Sequence, residues 1–184
     1  EKAAGLLGLE EPQETLEQVS EFFRQRFRQF MIGEGHDYDL VDAVIPFALR
    51  DVLDAEGRLL AMEEARREGR LQRIYTGFER CYNLSRQGAG TSLNENLLLE
   101  GAERELYSRL TWSQEPLQRY LDECEYGKAL EVLLELAPSV DRFFAEIFVM
   151  GEDEKMRENR LALLREVVSL YRSFADFSRV VTEG

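Results

Sequence analysis

The sequence predicts an all-α protein, a single helical bundle of roughly seven or eight helices. Along most of the 184 residues, apolar side chains recur at steps of three and four, which places them on one face of a helix. No stretch alternates apolar and polar residues for long enough to indicate a strand. No internal repeat of solenoid length is present, so a compact bundle is favoured over a repeat array.

Two helices are expected before residue 50. The first follows Pro12, carries its apolar residues between positions 16 and 31, and stops at Gly33. Asp37 is placed to cap the second helix through its carboxylate. Pro46 should end that helix, because the proline ring removes a backbone donor.

A third helix is expected over residues 51–68, and Gly69 marks a break before a fourth helix over residues 71–82. Residues 87–92 contain two glycines separated by one small residue, which favours a loop. The sequence therefore predicts a flexible connection near the middle of the chain.

The second half is again helical in pattern. Apolar stripes cover residues 97–110, 126–136 and 140–150, and Pro138 separates the last two. The longest helix is expected over residues 152–181. Its acidic start, residues 152–154, is typical of a helix N-terminus, where carboxylates satisfy free N–H groups and oppose the helix dipole.

The charge balance limits the partners. The chain has 36 acidic against 23 basic residues and a net charge of −13, so its overall field does not attract nucleic acid or an anionic membrane. A polyanion site, if present, must be a local basic patch. A composition that is 44% hydrophobic with four prolines argues against disorder.

The cysteine count and the chain start bear on compartment and organisation. Two cysteines and one histidine are too few for a disulfide framework or a Cys/His zinc site, which fits a reducing compartment and a cytoplasmic location. No apolar run has the length of a membrane span. Because the sequence starts at Glu1 rather than Met, we expect a fragment of a longer chain, with residues 1–15 as a linker or the end of a preceding region and residues 16–184 as a helical domain.

The usual catalytic patterns are missing. No metalloprotease, hydrolase or phosphate-loop motif occurs. His36 lies in a predicted turn and is expected to be exposed, while Cys81 lies on an apolar helix face and is expected in the core. We expect Phe143, Phe144, Phe174 and Phe177 in the core as well. The sequence thus predicts a non-catalytic module with no metal site.

Arginines form the most informative pattern. All but three of the 23 basic residues are arginine, whose planar group suits phosphate and base contacts. At 100° per residue, Arg70, Arg73 and Arg80 fall on one arc of the fourth helix, here called the arginine ridge, and Gly77 falls in the same arc. Acids elsewhere need not cancel such a patch, because the Debye length is only about 8–10 Å.

A second basic edge is expected on the last helix, where Arg165, Arg172 and Arg179 recur every seven residues. The alternative is that both arginine patterns are ordinary solvated faces paired with acids of neighbouring helices. An RNA-binding role for the arginine ridge requires that it be exposed and not neutralised.

The C-terminal part resembles a known family. Residues 140–164, which contain Val-Asp, a Phe-Phe pair, Val-Met, an acidic pair and Arg-Glu-Asn-Arg-Leu-Ala-Leu-Leu, are similar to the C-terminal end of the β subunit of bacterial glycyl-tRNA synthetases. Residues 174–179, 38–44 and 79–84 resemble other segments of that family, although Glu79 replaces a lysine there. The resemblance covers about residues 16–181.

The resemblance implies the helical anticodon-binding domain named after its Asp-Ala-Leu-Arg motif, which arginyl-tRNA synthetases share. In that family the β subunit joins a catalytic α subunit in an α2β2 heterotetramer, and the domain grips the anticodon arm. ATP and Mg²⁺ are then expected in the holoenzyme and no cofactor in this fragment. The implied partners are tRNA(Gly) and the α subunit, with neither DNA nor membrane.

Combining the arginine pattern with the resemblance predicts specific tRNA contacts. Single-stranded bases stack on guanidinium planes and aromatic rings, while neighbouring arginines bind phosphates. The predicted tRNA-binding residues are Arg70, Arg73, Arg80, Asn83, Arg157, Asn159 and Arg160. For the last three, a helix cap and packing network is an equal alternative. The competing function is a helical module that docks on a partner subunit and does not contact RNA.

Overall fold

The computed structural model describes residues 12–181, and this part of the chain contains eight α-helices and no strand. The predicted all-α fold is confirmed. The helices are α1 (Pro12–Gly33), α2 (Tyr38–Ala48), α3 (Val52–Arg67), α4 (Arg70–Ser85), α5 (Gly101–Asp122), α6 (Tyr126–Leu134), α7 (Ala137–Glu146) and α8 (Glu154–Arg172). Two 3-10 turns cover Glu95–Leu97 and Phe177–Arg179.

Of three aspartates at predicted helix starts, two cap their helices through the side chain. The carboxylates of Asp51 and Asp153 accept backbone N–H groups of the first turns of α3 and α8, as a capping residue does. Asp37 occupies the cap position of α2, but its carboxylate makes no cap bond and pairs with Arg66 at 2.8 Å. Residues 1–11 of the predicted linker lie outside the described residues, and α1 already begins at Pro12.

Helix α2 continues through Pro46 to Ala48, contrary to the prediction. The missing proline N–H costs this short helix one backbone hydrogen bond near its end. Val44 and Ala48 are buried on either side of the proline, and burial of these side chains holds the last turn in place.

Helix α8 ends at Arg172, nine residues before the predicted end, because the chain turns back onto α2 and α3. The carbonyls of Ser173 and Phe174 accept hydrogen bonds from the buried guanidinium of Arg58 at 2.9 and 2.7 Å. The N–H of Asp176 donates to the carbonyl of Ala43 at 2.9 Å. A partner supplied by another helix therefore replaces the next turn of α8.

Helices α4 and α8 form the central pair of the bundle. They run antiparallel, since Gly77 lies beside Tyr171 whereas Gly88, just beyond α4, lies beside Arg165. The buried ring of Phe78 meets the rings of Tyr171 and Phe177 at centroid distances of 5.9 and 5.8 Å.

The predicted core residues behave as expected with one exception. Phe143, Phe174 and Phe177 are buried. Phe144 is only half-buried, and the guanidinium of Arg80 lies 4.4 Å from the centre of its ring. Neighbouring side chains point in different directions from a helix, so Phe143 and Phe144 cannot both face the core of the bundle.

The loop after α4 is fastened to α8. Glu158, Asn159 and Arg165 make hydrogen bonds of 2.5–3.1 Å to the backbone of residues 89–94. Gly88 allows the close approach, since a Cβ atom there would lie 2.3 Å from Nη1 of Arg165. The loop predicted from its glycines is confirmed, and α8 holds it at several points.

Cys81 and His36, the two side chains in question, both lie in contact with other parts of the fold. Cys81 is buried, as predicted, and burial raises the pKa of its thiol to about 12. His36 is half-buried rather than exposed, because its Nδ1 lies 2.9 Å from a carboxylate oxygen of Glu63 on α3.

Candidate nucleic-acid interface

Two of the three members of the arginine ridge are ion-paired. At the start of α4, Arg70 pairs with Glu68 and with Glu131 of α6. Further along the helix, Arg80 donates to Asp141 of α7 at 2.8 Å. The arginine ridge is therefore not a free cationic surface, because acids of neighbouring helices neutralise two of its members.

Gly77 does not lie beside the guanidinium groups, contrary to the prediction. It is buried against α8, and a Cβ atom at this position would lie 3.0 Å from the hydroxyl oxygen of Tyr171. Helical spacing places Gly77 in the arc of Arg70, Arg73 and Arg80, but the packing of α8 against α4 buries it.

The remaining α4 predictions, Arg73 and Asn83, lie at the surface. Both are exposed. Among residues 12–181, Arg73 has no ion-pair partner and the side-chain amide of Asn83 has no hydrogen-bond partner. These two side chains keep the accessibility that an RNA contact needs.

At the start of α8, two of the predicted residues hold the fold together. Asn159 is buried and binds both backbone polar groups of Asn94, at 2.7 and 3.1 Å. Arg160 donates to the fully buried carboxylate of Glu103 at 2.6 Å and to the carbonyl of Phe148 at 3.0 Å. These contacts match the packing network that the sequence left as the alternative.

Arg157 is more loosely held. Its guanidinium lies 3.9 Å from Glu154 and 3.5 Å from the carbonyl of Gly151, both at the limit of a direct contact. Among the three α8 predictions, this is the side chain that an added anion could recruit.

The structure brings together a cationic group that the arginine spacing did not reveal. The guanidinium carbons of Arg86, at the end of α4, and Arg172, at the end of α8, lie 5.4 and 5.1 Å from the ring centre of Tyr82. We call Tyr82, Arg86 and Arg172 the tyrosine–arginine face. Both arginines are exposed and the tyrosine is half-buried.

Little acidic charge opposes this face. Within the described part of the chain, Arg86 has no ion-pair partner, and Arg172 approaches only Asp176, at 3.9 Å. The carboxylate of Asp176 also accepts the hydroxyl of Ser178 at 2.7 Å and lies 3.6 Å from Arg179. Its single charge is therefore shared, and the tyrosine–arginine face keeps excess positive charge.

The second basic edge does not form as a line of three arginines. Arg165 donates to the carbonyl of Thr91 at 2.5 Å and serves the loop after α4. Arg179 lies on a 3-10 turn beyond the end of α8, so the seven-residue spacing no longer aligns it with Arg172. Only Arg172 joins the candidate interface.

Sequence reasoning missed Tyr82 and Arg86 because their partner comes from the other end of the domain. Tyr82 and Arg86 are one helical turn apart on α4, a spacing compatible with contact. Arg172 reaches the same ring only because α4 and α8 pack antiparallel. A tyrosine four residues before an arginine was the available signal.

The described residues offer no metal centre and no membrane-spanning element. No group of three His, Cys, Asp or Glu side chains among them is arranged to hold a metal ion. None of the helices in residues 12–181 combines the length and the apolar composition that a bilayer crossing needs.

Comparison with known proteins identifies the family of this chain. Residues 74–182 match the DALR anticodon binding domain family, a segment that contains the whole tyrosine–arginine face. The chain is also similar to proteins named glycine–tRNA ligase beta subunit. It is 34% identical over 170 residues to that of Desulforamulus reducens and 36% identical over 166 residues to that of Desulforudis audaxviator.

These matches cover 92% and 90% of this chain but only 24% of each relative. A third relative, from Syntrophus aciditrophicus, is 33% identical over 172 residues, with 94% of this chain and 25% of the relative covered. The chain thus spans about a quarter of the length of the curated relatives it matches. The match to the domain family extends over more than half of the chain and contains most of α4 and all of α8, and we conclude that the chain belongs to the DALR anticodon binding domain family.

Proposed function

We propose that this chain is the tRNA-binding domain of a glycine–tRNA ligase β subunit and that it binds the anticodon arm of tRNA(Gly) through the tyrosine–arginine face. The observation that carries the proposal is two exposed arginines from different helices that flank one accessible aromatic ring. Unpaired RNA is bound by this combination, since guanidinium groups hold phosphates and aromatic rings stack on bases.

The net charge of −13 is compatible with a local RNA site. Charges further than a Debye length of about 8–10 Å are largely screened at physiological salt, so distant carboxylates weaken the face little. They do lower non-specific affinity for other polyanions. The arrangement favours RNA that presents an unpaired loop over RNA in general.

The contacts predicted from the sequence enter this proposal unequally. Arg73 and Asn83 are exposed and extend the interface along α4. Arg70, Arg80 and Arg157 are secondary contacts, because each must exchange an acidic partner for a phosphate. For Asn159 and Arg160, whose polar groups hold the fold, RNA contact stays an untested prediction.

The activity of the whole enzyme belongs to the proposal rather than to this domain. We propose that the chain supports ATP-dependent charging of tRNA(Gly) with glycine within an α2β2 assembly in the cytoplasm. ATP and Mg²⁺ would act on the α subunit. The described residues contain no cluster that could hold the metal ion.

The test is a mobility-shift titration of this chain with tRNA(Gly) and, in parallel, with an unrelated tRNA at the same salt concentration. We expect tRNA(Gly) to be retained at a concentration at least tenfold lower. Raising the salt should weaken binding, as expected when arginines displace counterions from phosphates. Equal retention of both tRNAs would contradict the anticodon-arm assignment.

A matched pair of variants assigns the binding to the proposed surface. Arg86→Glu should weaken tRNA(Gly) binding and flatten its salt dependence. Arg50→Glu makes the same charge change at an exposed position in the turn between α2 and α3 and should bind as the unmodified chain does. If neither tRNA binds the unmodified chain but an isolated α subunit binds it, the competing function is correct: the chain is then a docking module that does not contact RNA.

A further inference from the structure

Tyr82 is the outermost ring of an aromatic stack that begins in the core. Its ring lies nearly parallel to that of Phe78, with 5.2 Å between centroids and 16° between planes. Phe78 is buried, and its ring also contacts the rings of Tyr171 and Phe177. Because the rings beneath are fixed by the core, Tyr82 presents a rigid flat surface at the end of α4.

The two arginines complete a site of defined chemistry. A guanidinium group is planar, carries five N–H donors and stacks on aromatic faces. Arg86 and Arg172 lie over the Tyr82 ring at similar distances, 5.4 and 5.1 Å, and come from different helices. Both guanidinium groups are therefore close enough to contact a flat ligand that stacks on the Tyr82 ring.

We propose that Tyr82 is the platform for a single unpaired nucleobase of a ribonucleotide loop, and that Arg86 and Arg172 bind the phosphates on either side of that nucleotide. The proposal rests on the proposed function and specifies which side chain receives a base. In the free protein the guanidinium groups cover the ring. On binding, the base takes the position next to the ring, and the guanidinium groups move outward to the phosphates.

Asn83 lies next to the platform on the exposed side of α4. Its amide offers one acceptor and two donors, so it can hydrogen-bond the edge of a base stacked on Tyr82. The base identity would then be read by Asn83, while stacking on Tyr82 supplies affinity for every base.

The experiment uses hairpins with the anticodon stem and loop of tRNA(Gly), each carrying 2-aminopurine at one loop position. With the unmodified chain, we expect one position to change fluorescence strongly on binding, and Tyr82→Phe should reproduce this signal because the ring remains. Tyr82→Leu should abolish it and weaken hairpin binding roughly five- to hundredfold, the range for loss of one base stack. Fully paired RNA of the same length should bind both variants equally.

Circular dichroism and thermal melting confirm that the variants fold. If Tyr82→Leu does not fold, the position-specific signal of the unmodified chain and of Tyr82→Phe still decides, since a uniform response at all loop positions contradicts a single platform. Selective tRNA(Gly) binding that is unchanged in Tyr82→Leu would overturn this inference and leave the proposed function standing. Loss of selectivity in the unmodified chain would overturn both.

Discussion

At the scale of single residues, the hydroxyl of Tyr171 is a buried polar group without a hydrogen bond. Its oxygen is buried without a hydrogen-bond partner among residues 12–181, and burial raises the pKa of this phenol far above its ordinary value. A buried hydroxyl that has lost its water costs on the order of 1–3 kcal/mol. The side chain is nevertheless central, because its ring packs against Phe78 and Phe177.

We therefore expect Tyr171→Phe to raise the free energy of unfolding by about 1 kcal/mol, since the ring contacts remain and the unpaired hydroxyl is removed. Urea denaturation monitored by circular dichroism measures this change. A matched test is Gly77→Ala, whose new methyl group would lie 3.0 Å from that hydroxyl. Gly77→Ala should be better tolerated in the Tyr171→Phe background, and a stability loss in Tyr171→Phe alone would contradict the account.

The same pair of residues shows what sequence reasoning could and could not assign. The apolar spacing of α4 correctly places Phe78 and Cys81 in the core. It cannot say which side of the helix Tyr171 covers, because that residue comes from α8, far along the chain. The misplacement of Gly77 follows from that missing neighbour.

At the scale of elements, glycine sets the distance between α3 and α6. Gly57 lies within α3, and a Cβ atom there would lie 2.2 Å from a ring carbon of Tyr126. The Tyr126 hydroxyl donates to Asp54 on the same helix at 2.9 Å, which fixes the ring over the glycine. The two helices can approach this closely only without a side chain at position 57.

Gly57→Ala should lower the free energy of unfolding by about 1 kcal/mol, because an overpacking cost of about 2 kcal/mol exceeds the gain of about 1 kcal/mol in helix propensity. The matched control is Gly127→Ala in α6, where no atom lies within 4 Å of the new Cβ. Gly127→Ala should leave stability unchanged or raise it slightly. Thermal melts of both variants make the comparison, and equal effects would show that α3 and α6 separate easily.

Helix boundaries were predictable where local chemistry decides them. Asp51 and Asp153 cap their helices through their own neighbours in sequence, so the signal is local. The end of α8 was mispredicted because Arg58 of α3 binds the carbonyls of Ser173 and Phe174, directly after the last residue of the helix. The local sequence gives no signal for this helix end, because the apolar pattern continues to Phe177 and the residue that ends the helix lies on α3.

The candidate interface follows the same rule. Arg73 is predicted from helical spacing and Asn83 from the family resemblance, and both side chains are exposed. Arg70 and Arg80 were predicted on the same spacing, but their acidic partners belong to α6 and α7. The tyrosine–arginine face could not be assembled from spacing, because Arg172 of α8 reaches the ring of Tyr82 only through the antiparallel packing of α8 against α4.

At the scale of the whole molecule, Asp39 connects the two ends of the domain. This buried carboxylate accepts two hydrogen bonds from Arg66, at 2.5 and 3.0 Å, and one from the N–H of Val181 at 2.7 Å. Burial by itself opposes ionisation of Asp39. The hydrogen bonds from Arg66 and Val181 outweigh it and lower the pKa of Asp39 below its ordinary value.

A carboxylate whose pKa is lower in the folded than in the unfolded state stabilises the protein above the unfolded pKa of about 3.9, and this stabilisation is lost as the pH falls through the folded value. We expect the free energy of unfolding to decrease on acidification below about pH 4. Asp39→Asn should be less stable at pH 7 and show a shallower decrease. Urea midpoints at pH 7 and pH 3 measure both effects.

Glu152→Gln is the control for this prediction, because it removes one carboxylate at an exposed position in the segment before α8. Its stability at pH 7 should equal that of the unmodified chain. If the free energy of unfolding of Asp39→Asn decreased on acidification as much as that of the unmodified chain, a carboxylate other than Asp39 would be responsible for the decrease.

The fastening of residues 89–94 to α8 has a consequence for the speed of recognition. Glu158, Asn159 and Arg165 immobilise the segment that follows Arg86, and the core rings immobilise Tyr82. The ordering entropy of this region is thus already lost during folding, and little of it is left to oppose association. Stopped-flow mixing with RNA should accordingly give a single exponential whose rate rises linearly with concentration, without a slow rearrangement of the protein.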